Sequence, residues 1–270
     1  ATRLNRIERP FDLFISISET NKSEQHQLKI LFQNAVTYIR QIQIQTVPNR
    51  GRDLAPLIIT FGKQLQNYEI IGHFHSKASP HNPALSGWCD DILDLMIGSA
   101  DHNPRAVEQI IELLVTRASI VFPESSDAIL EDQTGWGSNW DLARELTNRH
   151  TLCDLSNYAS VDFPRGSMFW ARAKNIAPLL NIGLQYHDFP TEPIPADGTL
   201  AHAIERLILV IADQDEGELI RLHQHDSLAD KMDYESPQDF SHLPNPDVRA
   251  LAFYLPQFHP IPENDLWHGP

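Results

Sequence analysis

From Phe11 to Ala212, short runs that read as strands alternate with amphipathic helical stripes, and this alternation limits the fold more than any other feature of the chain. Phe11-Asp12-Leu13-Phe14-Ile15-Ser16-Ile17 is rich in aromatic and branched residues, the composition of a strand. The spacing of Leu28, Leu31, Phe32 and Ala35 predicts a helix from about Ser23 to Ile39. Ile42 to Val47 is the next strand, closed by the turn signal Pro48-Asn49-Arg50-Gly51. Asp53 can cap a helix whose stripe is Leu57, Ile58, Phe61 and Leu65. Glu69 to His75 is a third strand, and Ser76 to Ser86, with its prolines, is a loop.

Trp88, Ile92 and Leu95 share a helix face that Gly98 ends. Asn103 and Pro104 open a helix burying Val107, Ile110, Ile111 and Leu114. Ile120 to Phe122 and Met168 to Ala171 are short strands. Asp197 caps a last helix bearing Leu200, Ile204, Leu207, Ile208 and Ile211. Strands alternating with helices in this way predict an α/β fold of three layers around a mainly parallel sheet. There is no internal repeat.

Past Ala212 the composition changes. Residues 213–247 hold ten acidic side chains and two basic ones, with a helix-breaking Leu243-Pro244-Asn245-Pro246. That is the chemistry of a linker or a peripheral helix over 213–249. Ala250 to Leu255 then reads as a fresh strand. The expected organisation is a domain over 1–212, the acidic stretch, and the cut-off start of a second domain over 250–270.

Charge and cysteine content exclude several classes. With 21 basic against 36 acidic residues the net charge is −15, a poor match for nucleic acid or an anionic membrane surface. The two cysteines, Cys89 and Cys153, make neither a disulfide framework nor a cysteine zinc site and suit a reducing cytoplasm. Leu207 to Ala212 is the longest apolar run, far short of the ~20 residues of a membrane span. No basic region leading into an apolar one opens the chain.

Four polar clusters fall at strand ends or helix starts, the edge of a parallel sheet where ligands bind. Asn49-Arg50-Gly51-Arg52-Asp53 places two guanidinium forks and free N–H groups at a helix start, suited to a phosphate or nucleotide, or else forms a solvated turn. In His73-Phe74-His75-Ser76-Lys77-Ala78-Ser79-Pro80-His81, His73 and His75 share a strand face. They suit a metal, with His81 as third ligand, or with Ser76 and Lys77 a cradle for a diphosphate. Phe163-Pro164-Arg165-Gly166-Ser167-Met168-Phe169-Trp170 lets a ligand approach the backbone at Gly166, or is a bulge in a core strand. No Gly-x-Ser-x-Gly elbow is present, so Ser167 is not read as a nucleophile. Asp197-Gly198-Thr199-Leu200-Ala201-His202-Ala203-Ile204-Glu205-Arg206 offers Asp197 as a cap or as a general base. Trp136, Gly137 and Trp140 read as core or as a platform for an acceptor.

In this order and spacing, PNRGRDLAPLI (48–58), HFHSKASPH with GW (73–88), FPRGSMFWARA (163–173) and DGTLAHAIERL (197–207) resemble the rhamnan synthesis protein F family of bacterial polysaccharide glycosyltransferases. The tail YLPQFHPIPENDLWHG (254–269) resembles the opening of a glycoside-hydrolase-99-like, WbsX-type domain. The family carries a further strand and helix ahead of the position of Phe11, where ten residues stand here, so the chain reads as a piece of a longer polypeptide.

The resemblance implies a GT-A-like fold and transfer of rhamnose or another deoxyhexose from a nucleotide-diphosphate sugar to a glycan or lipid-linked glycan. The setting it implies is the cytoplasm at the inner face of the membrane. Asn49, Arg50, Arg52 and Asp53 would then bind the nucleotide moiety. His75, Ser76 and Lys77 would neutralise the leaving diphosphate, with His73, Gly166 and Ser167 also part of the donor site, and Asp197 would take the acceptor's proton in an inverting reaction. Many GT-A folds hold a divalent ion, Mg or Mn, on the diphosphate. Here cationic side chains stand at the corresponding strand end, so the expectation is a transferase that needs a divalent ion, Mg or Mn, weakly or not at all, and no metal ligand is assigned. A metal-dependent hydrolase built on His73, His75 and His81, and a non-catalytic carbohydrate-binding module, are the alternatives.

Overall fold

In the computed structural model, which describes residues 2–75, 88–100, 103–124, 135–223 and 248–255, the first strand (β1, Phe11–Ser18) is buried along its whole length. Its side chains alternate between two apolar clusters: Phe14 enters one, while Leu13, Ile15 and Ile17 enter the other. A period of two on a strand buried on both faces requires helices on both sides.

The first helix (α1) spans Gln25–Ala35 and buries no residue completely. Leu28, Phe32 and Ala35 lean on the sheet, but Leu31, expected on the same face, is 52% exposed. The second strand (β2, Ile39–Val47) starts three residues before the position read from the sequence. After the turn at 48–53 the chain makes a π-helical stretch, Pro56–Thr60, and a short α2, Gly62–Leu65. The stripe of Leu57, Ile58, Phe61 and Leu65 is buried as expected. Asp53 stands directly ahead of this helical segment, and its carbonyl accepts the Leu57 N–H.

The strand β3 (Ile70–His75) follows, wholly buried. Then come α3 (Trp88–Ile97), α4 (Ala106–Thr116) and β4 (Ala118–Pro123). Gly98 ends α3 at φ +96°, and the Asn103 carboxamide oxygen accepts the Arg105 N–H just ahead of α4. The remaining elements are α5 (Trp140–His150), β5 (Phe169–Arg172), α6 (Ala173–Leu180), α7 (Leu200–Ala212), β6 (Glu218–Leu222) and β7 (Val248–Leu255).

All seven strands form one sheet in the order β2-β1-β7-β3-β5-β4-β6. The pairs β1–β2, β1–β7, β3–β7 and β4–β6 are parallel, and only β5 runs against its neighbours β3 and β4. Helices α2, α5, α6 and α7 pack on one face and α3 and α4 on the other. The mixed α/β, mainly parallel character read from the sequence is what forms.

Two local departures matter. A strand, β6, forms inside the stretch that reads as linker or peripheral helix, because Ile220 and Leu222 alternate inward beside β4 while Glu218, Leu219 and Arg221 stay exposed. The last strand, read as the cut-off start of a second domain, is paired in the middle of this sheet. Ser76, Lys77 and His81 lie outside the described residues, as do 224–247 and 256–270.

Candidate functional site

His73 and His75 project from the end of β3 to one side, while Phe74 between them is fully buried in the opposite cluster. Strand alternation demands this arrangement. Both imidazoles grip the turn that enters β5. His73 Nδ1 lies 2.6 Å from the Ser167 carbonyl oxygen, and His75 Nε2 bonds to the Gly166 carbonyl. A carbonyl only accepts, so each ring donates from that nitrogen.

On its far side, His73 Nε2 lies 3.9 Å from Asp53 Oδ2. Burial holds the His73 pKa below the ordinary imidazole value, against the opposing pull of Asp53 and of the Ser167 carbonyl. His73 is therefore a neutral, locked group, and Asp53, itself buried, is brought from the first cluster against the second.

Gly166 and Ser167 are consecutive left-handed residues, at φ +74° and +57°. Glycine adopts this conformation without steric cost, whereas the serine carries strain that its surroundings must offset. Those surroundings are the two histidines and Glu205. One oxygen of Glu205, Oε1, accepts the Gly166 N–H at 3.0 Å and the Ser167 hydroxyl at 3.2 Å.

Glu205 comes from α7, an otherwise apolar helix that carries His202, Glu205 and Arg206 at i, i+3 and i+4, the spacing that aligns side chains on one helix face. Beside it, the Arg206 guanidinium is 5% exposed. It lies 3.1 Å from Asp197 Oδ1 and 3.7 Å from Glu205 Oε2. It donates to the Gly135 and His202 carbonyls and covers the Phe163 ring at 4.4 Å.

Asp197 does not cap α7. The N-cap is Thr199, in a reciprocal capping box with His202. Asp197 instead reaches the turn ahead of α5, accepting the Ser138 N–H at 3.0 Å and the Asn139 amide at 2.7 Å. Gly137 makes that approach available, since a Cβ there would lie 2.5 Å from Asp197 Oδ2. Burial works to raise the Asp197 pKa, but the Asn139, Ser138 and Gly198 donors and the Arg206 charge outweigh it and hold the carboxyl below its ordinary range. The side chain keeps one third of its surface exposed, so it is an oriented, ionised carboxylate that solvent can reach.

All four clusters meet, but some of their residues fasten one segment of chain to another. Arg50 donates from Nη1 to the Phe189 carbonyl at 2.9 Å and its backbone bridges Thr191, so it fastens the 49–53 turn to the 189–191 segment. Asn49 is half-buried beside it. Arg52, half-buried and at φ +53°, has no ion-pair partner among the described residues. Sequence reasoning assigned no role to Glu205, Arg206, Ser138 or Asn139. The polar i, i+3, i+4 face on α7 was the available signal for two of them.

Trp136 and Trp170 are core, their Nε1 atoms bonded to the Tyr158 and Met96 carbonyls. Trp140 is half-buried against Trp136, so the described tryptophans provide little open stacking surface. Among the described residues no three His, Cys, Asp or Glu side chains converge on a metal position. No described helix is long and apolar enough to cross a membrane.

The profile of the family described as Rhamnan synthesis protein F matches residues 2–217. The chain belongs to the rhamnan synthesis protein F family. All four motif clusters lie within the matched span, and a second family, described as Glycosyltransferase WbsX, matches residues 250–270. Two relatives of this family member are uncharacterized proteins WxcX from strains of Xanthomonas campestris pv. campestris. One, from strain B100, is 32% identical over 169 residues, and the other is 34% identical over 171. Each alignment covers 62% of this chain but only 23% of the relative. No solved structure matches this rhamnan synthesis protein F chain.

Proposed function

We propose that this rhamnan synthesis protein F family member is a glycosyltransferase unit that moves a sugar, rhamnose or another deoxyhexose, from a nucleoside-diphosphate donor to a growing cell-surface polysaccharide at the inner face of the membrane. The observation that carries this reading is an unbroken line of contacts. It runs from Asp53 through His73, the Gly166–Ser167 turn and Glu205 to Arg206 and Asp197. It ties four sequence clusters into one site at the edge of a mainly parallel sheet, where α/β folds bind nucleotides.

In this reading the donor diphosphate lies against the 49–53 turn, with Arg52 and Lys77 supplying positive charge where negative charge develops on the leaving group. The turn held by His73 and His75 shapes that pocket. Asp197, ionised and aimed by four donors, accepts the proton of the acceptor hydroxyl as the new glycosidic bond forms and the diphosphate departs. One such base suffices for an inverting reaction. The GT-A-like architecture belongs to the same proposal. A divalent ion, Mg or Mn, would share the neutralisation of the diphosphate.

The test is a panel of nucleoside-diphosphate sugars scored for nucleotide release and glycan extension, with and without Mg or Mn. Lys77→Ala is expected to weaken diphosphate binding by roughly 1–3 kcal/mol, the loss of a charge-assisted hydrogen bond. Stoichiometric zinc by elemental analysis, with diphosphate binding indifferent to Lys77→Ala, would favour the hydrolase at His73, His75 and His81 and overturn the transferase reading. Glycan binding with no nucleotide affinity would leave only a binding module.

A further inference from the structure

The order of strands in the sheet holds an unexpected relationship between the two family matches. Residues 2–217 match one family and 250–270 another, yet β7, most of which lies in the second match, is inserted between β1 and β3 of the first. It pairs in parallel on both sides. Asp12 to Ile17 of β1 align with Ala250 to Leu255, and Ile71 to His75 of β3 align with Ala250 to Tyr254.

The strands on either side are unsuited to standing as edges. Every residue of β1 and of β3 is buried, and neither pairs directly with the other; β1 bonds to β2 and β7, and β3 to β5 and β7. Without an intervening strand, a gap one strand wide would face two rows of main-chain N–H and C=O groups inside the apolar core, the arrangement folded proteins avoid. A natural edge strand carries charge or a proline that discourages pairing. The one charge in β1, Asp12, is tied to Arg40 of β2, and Leu13 to Ser18 and Ile70-Ile71 carry neither.

We infer that the slot between β1 and β3 is a strand-acceptor site and that the segment 248–255, which carries the first six residues of the WbsX-type match, is its occupant, so that the two family segments form one cooperative folding unit. The register also fixes where this strand ends: Tyr254 is level with His75 and Ser16. The start of the WbsX-type segment is thus delivered to the edge of the sheet where the four clusters meet. The recognition is β-augmentation, with main-chain ladders supplying the affinity.

The test uses the full chain. Native-state hydrogen exchange is expected to show the amides of 250–255 protected by at least about 10³-fold and to the same level as those of 13–17, since central strands open only with global unfolding. A protease site placed between Glu235 and Ser236 and then cleaved should leave the 236–270 fragment bound to the remainder through gel filtration. Ala252→Pro, which removes a ladder N–H, should lower protection in β1 and β3 as well as in β7. Exchange of 250–255 at the rate of an unstructured peptide while 13–17 and 71–75 remain protected would overturn the inference. So would release of the cleaved fragment from a remainder that keeps its circular dichroism and melting temperature. These readouts are independent of sugar transfer, so they stand or fall apart from the proposed activity.

Discussion

Arg206 Nη2 lies 3.1 Å from Asp197 Oδ1, with the arginine side chain 5% exposed and the aspartate side chain 33% exposed. One end of the pair is therefore sunk in the helical layer, and the other meets solvent. The same guanidinium faces Glu205 at 3.7 Å, and Glu205 holds the Gly166–Ser167 turn. A single buried cation thus contacts both the carboxylate proposed to take a proton and the glutamate that holds the turn proposed to line the diphosphate site.

Arg206→Ala is expected to destabilise the fold by about 1–3 kcal/mol, because Glu205 loses its buried counter-charge while Asp197 stays open to solvent. Urea unfolding monitored by circular dichroism measures this. Arg206→Lys should fall between the wild type and alanine, since an ammonium cannot fork between Asp197 and Glu205 while also reaching the Gly135 carbonyl. Equal stability of all three proteins would contradict the pairing.

Asp197→Asn separates charge from shape, but it is not silent structurally. Every partner of Asp197 is a donor: Ser138 N–H, the Asn139 amide, Gly198 N–H and Arg206. An asparagine must turn its own NH2 toward one of them, which costs about 1–3 kcal/mol. Turnover should fall about 10²–10⁴-fold if the carboxylate is the general base, with donor affinity unchanged. A parallel loss of donor binding and transfer would make Asp197 a positioning residue only.

Gly137→Ala probes the same carboxylate from the other side. The added methyl would sit 2.5 Å from Asp197 Oδ2 on a residue at φ +53°, so Asp197 has to withdraw from Ser138. The left-handed alanine alone costs roughly 1–2 kcal/mol, readable as a lower melting temperature. With the Ser138 bond weakened, the Asp197 pKa should rise, and the acid limb of the transfer rate should move to higher pH. An unshifted acid limb would mean that Asp197 does not set it.

His73 gives a pH signature of stability. Its folded pKa is depressed by burial, so the native state refuses a proton that the unfolded chain takes up near its ordinary value of about 6.5. Stability is complete above that value and falls as pH drops below it, by up to about 1.4 kcal/mol per unit. Urea midpoints at pH 8, 6.5 and 5.5 measure the slope, and His73→Gln should flatten it. An unchanged slope in the variant would assign the effect to other groups.

Much of the fold is legible in local chemistry. Buried strands such as β1 and β3 announce themselves as runs of branched and aromatic residues, and α4 and α7 as apolar stripes, because these patterns follow from the geometry of one strand or one helix turn. The strand β6 escaped because its alternation is only five residues long and sits in acidic surroundings. Asp197 invited a cap reading because aspartate before a helix is the commonest cap. Only the folded chain shows that Thr199 and His202 already fill that position and leave Asp197 to face α5.

The sequence alone determined the α/β class, the four polar clusters and the family, since each depends on residue types at short spacing along the chain. Which clusters touch, and through which atoms, was decided by tertiary structure. Glu205 meets Gly166 across 39 residues of chain and Asp197 meets Asn139 across 58, and no periodicity encodes such a contact. The place of β7 is the clearest case. Its residues read as a strand in isolation, but main-chain ladders carry no side-chain address, so only the empty space between two fully buried strands determines where it pairs.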